Sequence, residues 1–189
     1  RDTLDTATLD GWCDDQQQVE TARTGAFRVS TGNADYDGLI NTFAKKQLYS
    51  YLINKSGFRD NLQVDCAVAL FDYPVARANF VRALASQYAD GRVPHGFRPL
   101  NRLTYADKSA WILMTLPMLV KESGDFALLE ERVPYFESSD AGTVWDHVQR
   151  TYRYLAGDVG CHGLCDQHHA DWNDGLEATP ESGERESVM

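Results

Sequence analysis

The stretch Asp107-Lys108-Ser109-Ala110-Trp111-Ile112-Leu113-Met114-Thr115-Leu116-Pro117-Met118-Leu119-Val120-Lys121-Glu122 decides the fold class. From Trp111 onward it is apolar on every face, which predicts a helix in the protein interior. Pro117 is expected to kink it. The apolar part is about half of the roughly 20 residues needed to span a bilayer. Helical patterns flank it on both sides. Tyr36, Leu39, Ile40, Phe43, Leu48, Tyr51 and Leu52 fall near one helical face, with a single five-residue step between Phe43 and Leu48. Asp72-Tyr73-Pro74 predicts a further helix start, with Pro74 in the first turn and Val75, Phe80, Val81, Leu84 and Tyr88 inward. After a loop carrying Gly91, Pro94, Gly96 and Pro99 and then the apolar run, Gly124-Asp125 ends that helix. Phe126 to Leu129 starts a short one, and Thr143 to Leu155 predicts another, with Val144, Val148 and Leu155 inward. Gly157 to Glu186 reads as loop. No run alternates with the period of a strand, so the chain reads as all-α with long loops between helices.

The chain has 189 residues, a length that suits one domain or one large piece of a bigger one. Residues 1–30 are polar and mixed and read as a lead-in segment or linker; residues 31–189 carry the helical pattern. Eighteen Lys and Arg against 28 Asp and Glu give a net charge of −10, which excludes the basic footprint of a nucleic-acid partner. A hydrophobic content of 43% is too rich for a disordered chain. The opening residues show no charged, then apolar, then small signal pattern. Four cysteines are far too few for a disulfide scaffold, and the expected location is the reducing cytoplasm.

Three clusters, all read as loop, carry reactive side chains. Gly57-Phe58-Arg59-Asp60-Asn61-Leu62-Gln63 sets a guanidinium beside a carboxylate and amides, which suits a hydroxyl-rich ligand, although taken alone it reads more readily as an Arg-Asp capping pair on a surface turn. Ala170-Asp171-Trp172-Asn173-Asp174-Gly175-Leu176 places two carboxylates around an indole. An indole stacks on the C–H face of a sugar, and a crowded carboxylic acid gains the raised pKa that protonating a glycosidic oxygen needs. The competing reading is a helix cap and a core Trp. Cys161, His162, Cys165, His168 and His169 are candidate zinc ligands, but all lie in one short loop, whereas structural zinc sites draw pairs from separated segments. No metal is expected there. GxSxG, GxxxxGKS, GxGxxG and HExxH patterns are absent, which disfavours serine esterases, P-loop proteins, dinucleotide oxidoreductases and zincins.

Taken in order, these motifs resemble the cellobiose and chitobiose phosphorylase family of inverting β-glycoside phosphorylases. The resemblance rests on Gly57-Phe58-Arg59-Asp60 with Gln63, then Asp90-Gly91, His95, Pro99-Leu100 and Trp111-Ile112-Leu113. It continues through Lys121 to Asp125, Val133-Pro134-Tyr135, His162-Gly163-Leu164, Ala170 to Leu176 and Glu186-Ser187-Val188. It implies an (α/α)6 barrel, of which residues 31–189 are the N-terminal part. The half that supplies the phosphate-binding residues and closes the barrel is implied to lie beyond Met189. It further implies that Asp174 is the general acid, that Trp172 lines the sugar site, and that Arg59, Asp60 and Gln63 bind the sugar. Gln63-Val64 stands where the family has Gln-Asp, with Asp65 one place later.

The implied reaction is reversible phosphorolysis of a β-linked di- or oligosaccharide to a sugar 1-phosphate, with inorganic phosphate as co-substrate and no cofactor or metal. Rival readings are an inverting hydrolase on the same barrel type and an inactive carbohydrate-binding fragment. Implied partners are the sugar, phosphate and, in the full-length protein, a second copy of the chain; nucleic acid and membrane are not among them.

Overall fold

In a computed structural model of the chain, the structure describes residues 5–54, 57–97 and 99–169. The chain divides into two compact units, Arg1–Ile53 and Asn54–Met189.

The first unit opens on α1 (Thr6–Gly25), where the polar composition suggested a lead-in segment or linker. Asp5 caps it by accepting from the Thr8 amide at 2.7 Å, and none of its residues is buried. Straight-chain residues such as Gln16 to Gln18 and Glu20 lose little rotamer freedom in a helix, so a polar segment folds without a core-facing stripe. Asn33 caps α2 (Ala34–Gly38), and a π-helical turn over Leu39–Ala44 leads into α3 (Lys45–Asn54). An i→i+5 turn accommodates the five-residue step in the apolar pattern. The buried face nevertheless takes only Leu52 from that apolar stripe. Tyr36, Leu39, Ile40, Phe43 and Tyr51 are exposed, while Asn41, Lys45, Tyr49 and Leu52 are buried. The reason lies in hydrogen bonding: the Asn41 amide both accepts from the Val29 N–H and donates to the Val29 carbonyl, each at 2.7 Å. Lys45 Nζ donates to the Thr24 carbonyl at 2.7 Å and also to that of Phe27. A polar face thus pins the segment after α1.

The second unit packs α4 (Phe58–Val68), α5 (Tyr73–Leu84) and α6 (Ala110–Ser123) against one another, with α7 (Val144–Gly157) on α6. Its core is Phe58, Leu62, Val68, Phe80, Leu84, Ile112, Leu119, Leu128 and Val144, each at most 1% exposed. Helix α4 forms where a loop was expected, because Phe58, Leu62 and Val68 supply an apolar stripe at near-helical spacing. Helix α5 starts as expected, with Asp72 as cap and Pro74 in the first turn. Helix α6 buries Ile112, Thr115, Leu116 and Leu119 but leaves Met114 56% exposed, so only one of its apolar faces is covered among the described residues. Gly124 ends it in the left-handed region (φ 69°), and its N–H bonds the Val120 carbonyl at 2.8 Å. Thr143 and Asp146 form a capping box at the start of α7.

Two antiparallel ribbons join the helices: β1 (Gly96–Phe97) with β2 (Leu100–Asn101), and β3 (Arg132–Pro134) with β4 (Ala141–Thr143). Strands of two and three residues are too short to show an alternating pattern. The chain is mainly helical, in agreement with the all-α reading. No helix among the described residues is long and apolar enough to cross a membrane.

Asn41→Ala is expected to destabilise the chain by about 1–2 kcal/mol, because it removes both side-chain hydrogen bonds to the half-buried Val29 backbone. Phe43→Ala, at an exposed position two residues away, is expected to cost less than about 1 kcal/mol. Urea titration of both variants checks the order; a larger loss at Phe43 would contradict the polar-face account.

Candidate functional site

The first turn of α4 is tied to the loop ahead of β1. The Phe58 N–H donates to the His95 carbonyl at 2.9 Å, the His95 N–H donates to Leu103 at 3.0 Å, and Gly57 pairs with Gly96 in an isolated antiparallel bridge. Asn61 Nδ2 donates to the Gly57 carbonyl at 2.8 Å, which satisfies a backbone acceptor at the helix start. The His95 ring lies against Tyr105, with centroids 4.3 Å apart, and Lys108 Nζ is 5.0 Å from the centroid of the Tyr105 ring. Tyr105 in turn pairs with His168, and the His169 N–H donates to the Thr104 carbonyl at 3.1 Å. The chain therefore enters the Ala170 to Leu176 motif from a point anchored three residues before Asp107. Asp171, Trp172 and Asp174 themselves lie outside the described residues.

Three of the site residues read from the sequence share the first two turns of α4. Arg59 is buried, at 5% exposure, and its Nη1 donates to Asp107 Oδ2 at 2.9 Å. Asp60 is on the rim, with its side chain 36% exposed and its Oδ1 3.8 Å from Arg59 Nε. Gln63 is half-buried and lies four residues after Arg59, on the same side of the helix. Gly57 is required by Asp60: a Cβ at position 57 would meet Asp60 Oδ2 at 2.3 Å. The arrangement offers a carboxylate and an amide to hydroxyl groups, backed by a fixed guanidinium.

Asp65 does not join them. It is fully buried and accepts from Asn79 Nδ2 through both oxygens, at 2.8 and 2.9 Å, while Arg82 donates to Asn79 Oδ1. Burial pushes its carboxyl well above the usual range, against the pull of Asn79 and Arg82. Asp107 and Lys108, the latter 1% exposed, are the residues that sequence reasoning passed over. The only signal for them was a charged pair just ahead of a long apolar run.

In the Cys and His loop, the structure gathers only His168 of the five candidates, together with two aspartates. Asp158, Asp166 and His168 bring ligand atoms within 4.8 Å of one another, with His168 Nε2 and Asp158 Oδ2 2.6 Å apart. These are the residues positioned to hold a cation. Cys161, His162, Cys165 and His169 enter no such group among the described residues. All four cysteines are free. Tyr154 is 3.4 Å from His168 Nε2, and burial, then the Asp158 charge, pushes its phenol upward.

The family model described as "Glycosyl hydrolase 94 superfamily, catalytic domain" matches residues 21–189. A solabiose phosphorylase of Paenibacillus borealis is 38% identical over 89% of this chain and 22% of its own length. A cellobionic acid phosphorylase of Neurospora crassa is 28% identical over 79% of this chain and 20% of its own. An N,N'-diacetylchitobiose phosphorylase of Vibrio furnissii is 40% identical over 39% of this chain and 9% of its own. The chain thus spans at most about a quarter of the curated relatives it matches.

Gly57→Ala is expected to turn Asp60 away from its observed position at little cost in stability, since the obstructing atom is the far end of a side chain. A crystal structure of the variant should show a different Asp60 rotamer, with the melting temperature changed by no more than about 4 °C, the shift of a mild substitution. An unmoved Asp60 would contradict this.

Proposed function

The chain belongs to the glycosyl hydrolase 94 superfamily, and we propose that its protein performs inverting phosphorolysis of a β-linked di- or oligosaccharide, releasing a sugar 1-phosphate. The observation that carries this reading is the family match over residues 21–189, together with curated relatives of which several are named as phosphorylases and one as a cyclic beta-(1,2)-glucan synthase. The placement of Arg59, Asp60 and Gln63 at the head of α4 supports it. In this reading the described helices belong to the N-terminal portion of an (α/α)6 barrel, and the protein is cytoplasmic. The full-length protein is a homodimer.

The proposed roles follow from the chemistry. Asp174, protonated, donates to the glycosidic oxygen as the bond to the anomeric carbon breaks. Phosphate attacks that carbon from the opposite face, so the configuration inverts. An inverting hydrolase needs a second carboxylate to activate water. A phosphate dianion is already nucleophilic and needs donors that position it, so one essential carboxylate suffices and Asp171 is structural. Trp172 stacks on the apolar face of the sugar. Asp60 accepts from its hydroxyl groups, and Arg59 and Gln63 complete the contacts. No cofactor or metal enters the reaction; inorganic phosphate is a co-substrate.

Two assays on the complete protein test the reading. Sugar 1-phosphate of inverted configuration, followed by NMR, should form only when phosphate is supplied; free sugar released without phosphate would favour the hydrolase instead. Asp174→Asn should lower the rate on ordinary disaccharides on the order of 10³-fold, in the range of general acid catalysis. Part of that loss should return with an activated leaving group. Near-normal rates in Asp174→Asn, with Asp171→Asn inactive, would reassign the acid.

A further inference from the structure

Asp107 stands in the turn before α6, 48 residues from Arg59 in sequence and outside the motifs that carry the family resemblance. Its pairing with Arg59 is poorly suited to a purely stabilising role. Arg59 lies in the first turn of α4, the end of a helix that the backbone dipole makes unfavourable for a cation. The contact is also single-ended. Asp107 Oδ2 receives Nη1 at 2.9 Å, whereas its Oδ1 is buried without a hydrogen-bond partner among the described residues, so the second bond of a fork-to-fork contact is forgone. Buried pairs of this kind add little stability over apolar replacements of the same volume.

The geometry around the guanidinium shows what the pair does accomplish. Two carboxylates flank Arg59: Asp107, in hydrogen-bond contact at 2.9 Å, and Asp60, at 3.8 Å from Nε. Asp107 is the closer, and it is buried, where the attraction is less screened. The guanidinium is thereby held off Asp60, whose oxygens remain acceptors at the rim. Lys108 beside Asp107, and Tyr105 and His95 beyond it, complete the polar lining of this turn.

We propose that Asp107 is a positioning residue of the sugar site. It holds Arg59 back so that Asp60 stays free to accept hydroxyl groups. Without the Asp107 charge, Arg59 swings onto Asp60 as a closed ion pair and withdraws that acceptor. The proposal rests on the reading of Asp60 as a sugar contact, but not on phosphate as the nucleophile.

The test uses the complete protein and measures binding of cellobiose, solabiose and N,N'-diacetylchitobiose by calorimetry without phosphate, then steady-state kinetics on the tightest binder. Asp107→Asn should weaken that sugar at least about 10-fold, with the KM for phosphate changed less than about twofold, and Asp107→Glu should recover part of the loss. Adding Asp107→Asn to Arg59→Gln should cause almost no further loss, since one residue acts through the other. Unchanged sugar affinity in Asp107→Asn, additive losses in the double variant, or a wild-type protein that binds none of the three sugars would overturn the proposal. Turnover without phosphate would overturn phosphorolysis and leave this proposal standing if the Asp107 effects persist.

Discussion

One buried ion pair joins the two helices around which the second unit is assembled. Arg59 and Asp107 meet where α4 begins and where the chain turns into α6, and lower down Thr115 Oγ1 donates to the Leu62 carbonyl at 3.2 Å. Around these polar ties pack Phe58, Leu62, Ile112 and Leu119, all fully buried. The apolar contacts supply most of the free energy, at roughly 1.5–3 kcal/mol for each large side chain buried. They are indifferent to small rotations of one helix on the other. The ion pair is not, because a guanidinium and a carboxylate oxygen lose their contact within a fraction of an ångström. It sets the register at the end of the helix pair where Asp60 sits.

A second polar knot serves the far side of the unit. His147, fully buried on α7, lies between the Val133 carbonyl (Nε2 at 3.1 Å) and the Gln87 side chain, while Gln87 donates to Thr151 at 2.7 Å and to the Gly91 carbonyl at 2.9 Å. Tyr135 stacks on the His147 ring, and the Arg150 guanidinium lies over the Tyr135 ring, 4.3 Å from its centroid. Burial pushes the imidazole's pKa below its usual range, against the pull of the Val133 carbonyl. Gln87 thereby joins the loop at Gly91 to α7, and that loop continues into His95, whose carbonyl receives the first amide of α4. The site's scaffold runs through hydrogen bonds between elements far apart in sequence.

That distance explains what the sequence could and could not disclose. Caps and breakers act within one turn, so the Asp72-Tyr73-Pro74 start, the Gly124 stop and the Thr143 cap of α7 were legible. The apolar run of α6 was legible as a helix, but not which of its faces would be covered. Helix α4 was hidden because its glycine, arginine and aspartates read as a polar turn. Only its packing on α5 and α6 makes Phe58, Leu62 and Val68 a stripe. In the first unit the burial of Asn41 and Lys45 was invisible for the opposite reason: their partners are backbone groups, which every sequence has. Arg59, Asp60 and Gln63 were legible as a motif. Asp107 was not, since an ion pair across 48 residues leaves no local pattern.

Helix geometry also decides how to read the departure at Val64. Residues four apart on a helix lie on the same face, whereas residues five apart are turned by about 140°, at 3.6 residues per turn. Position 64 therefore shares a face with Asp60, and position 65 does not. Asp65 accordingly faces α5, where both its oxygens are occupied by Asn79 and its charge is opposed by burial. It is no substitute for a carboxylate one place earlier. The face that carries Asp60 continues instead into the half-buried, apolar Val64. A site built on this helix has one rim carboxylate from α4, which makes the freedom of Asp60, and hence the hold of Asp107 on Arg59, the more consequential.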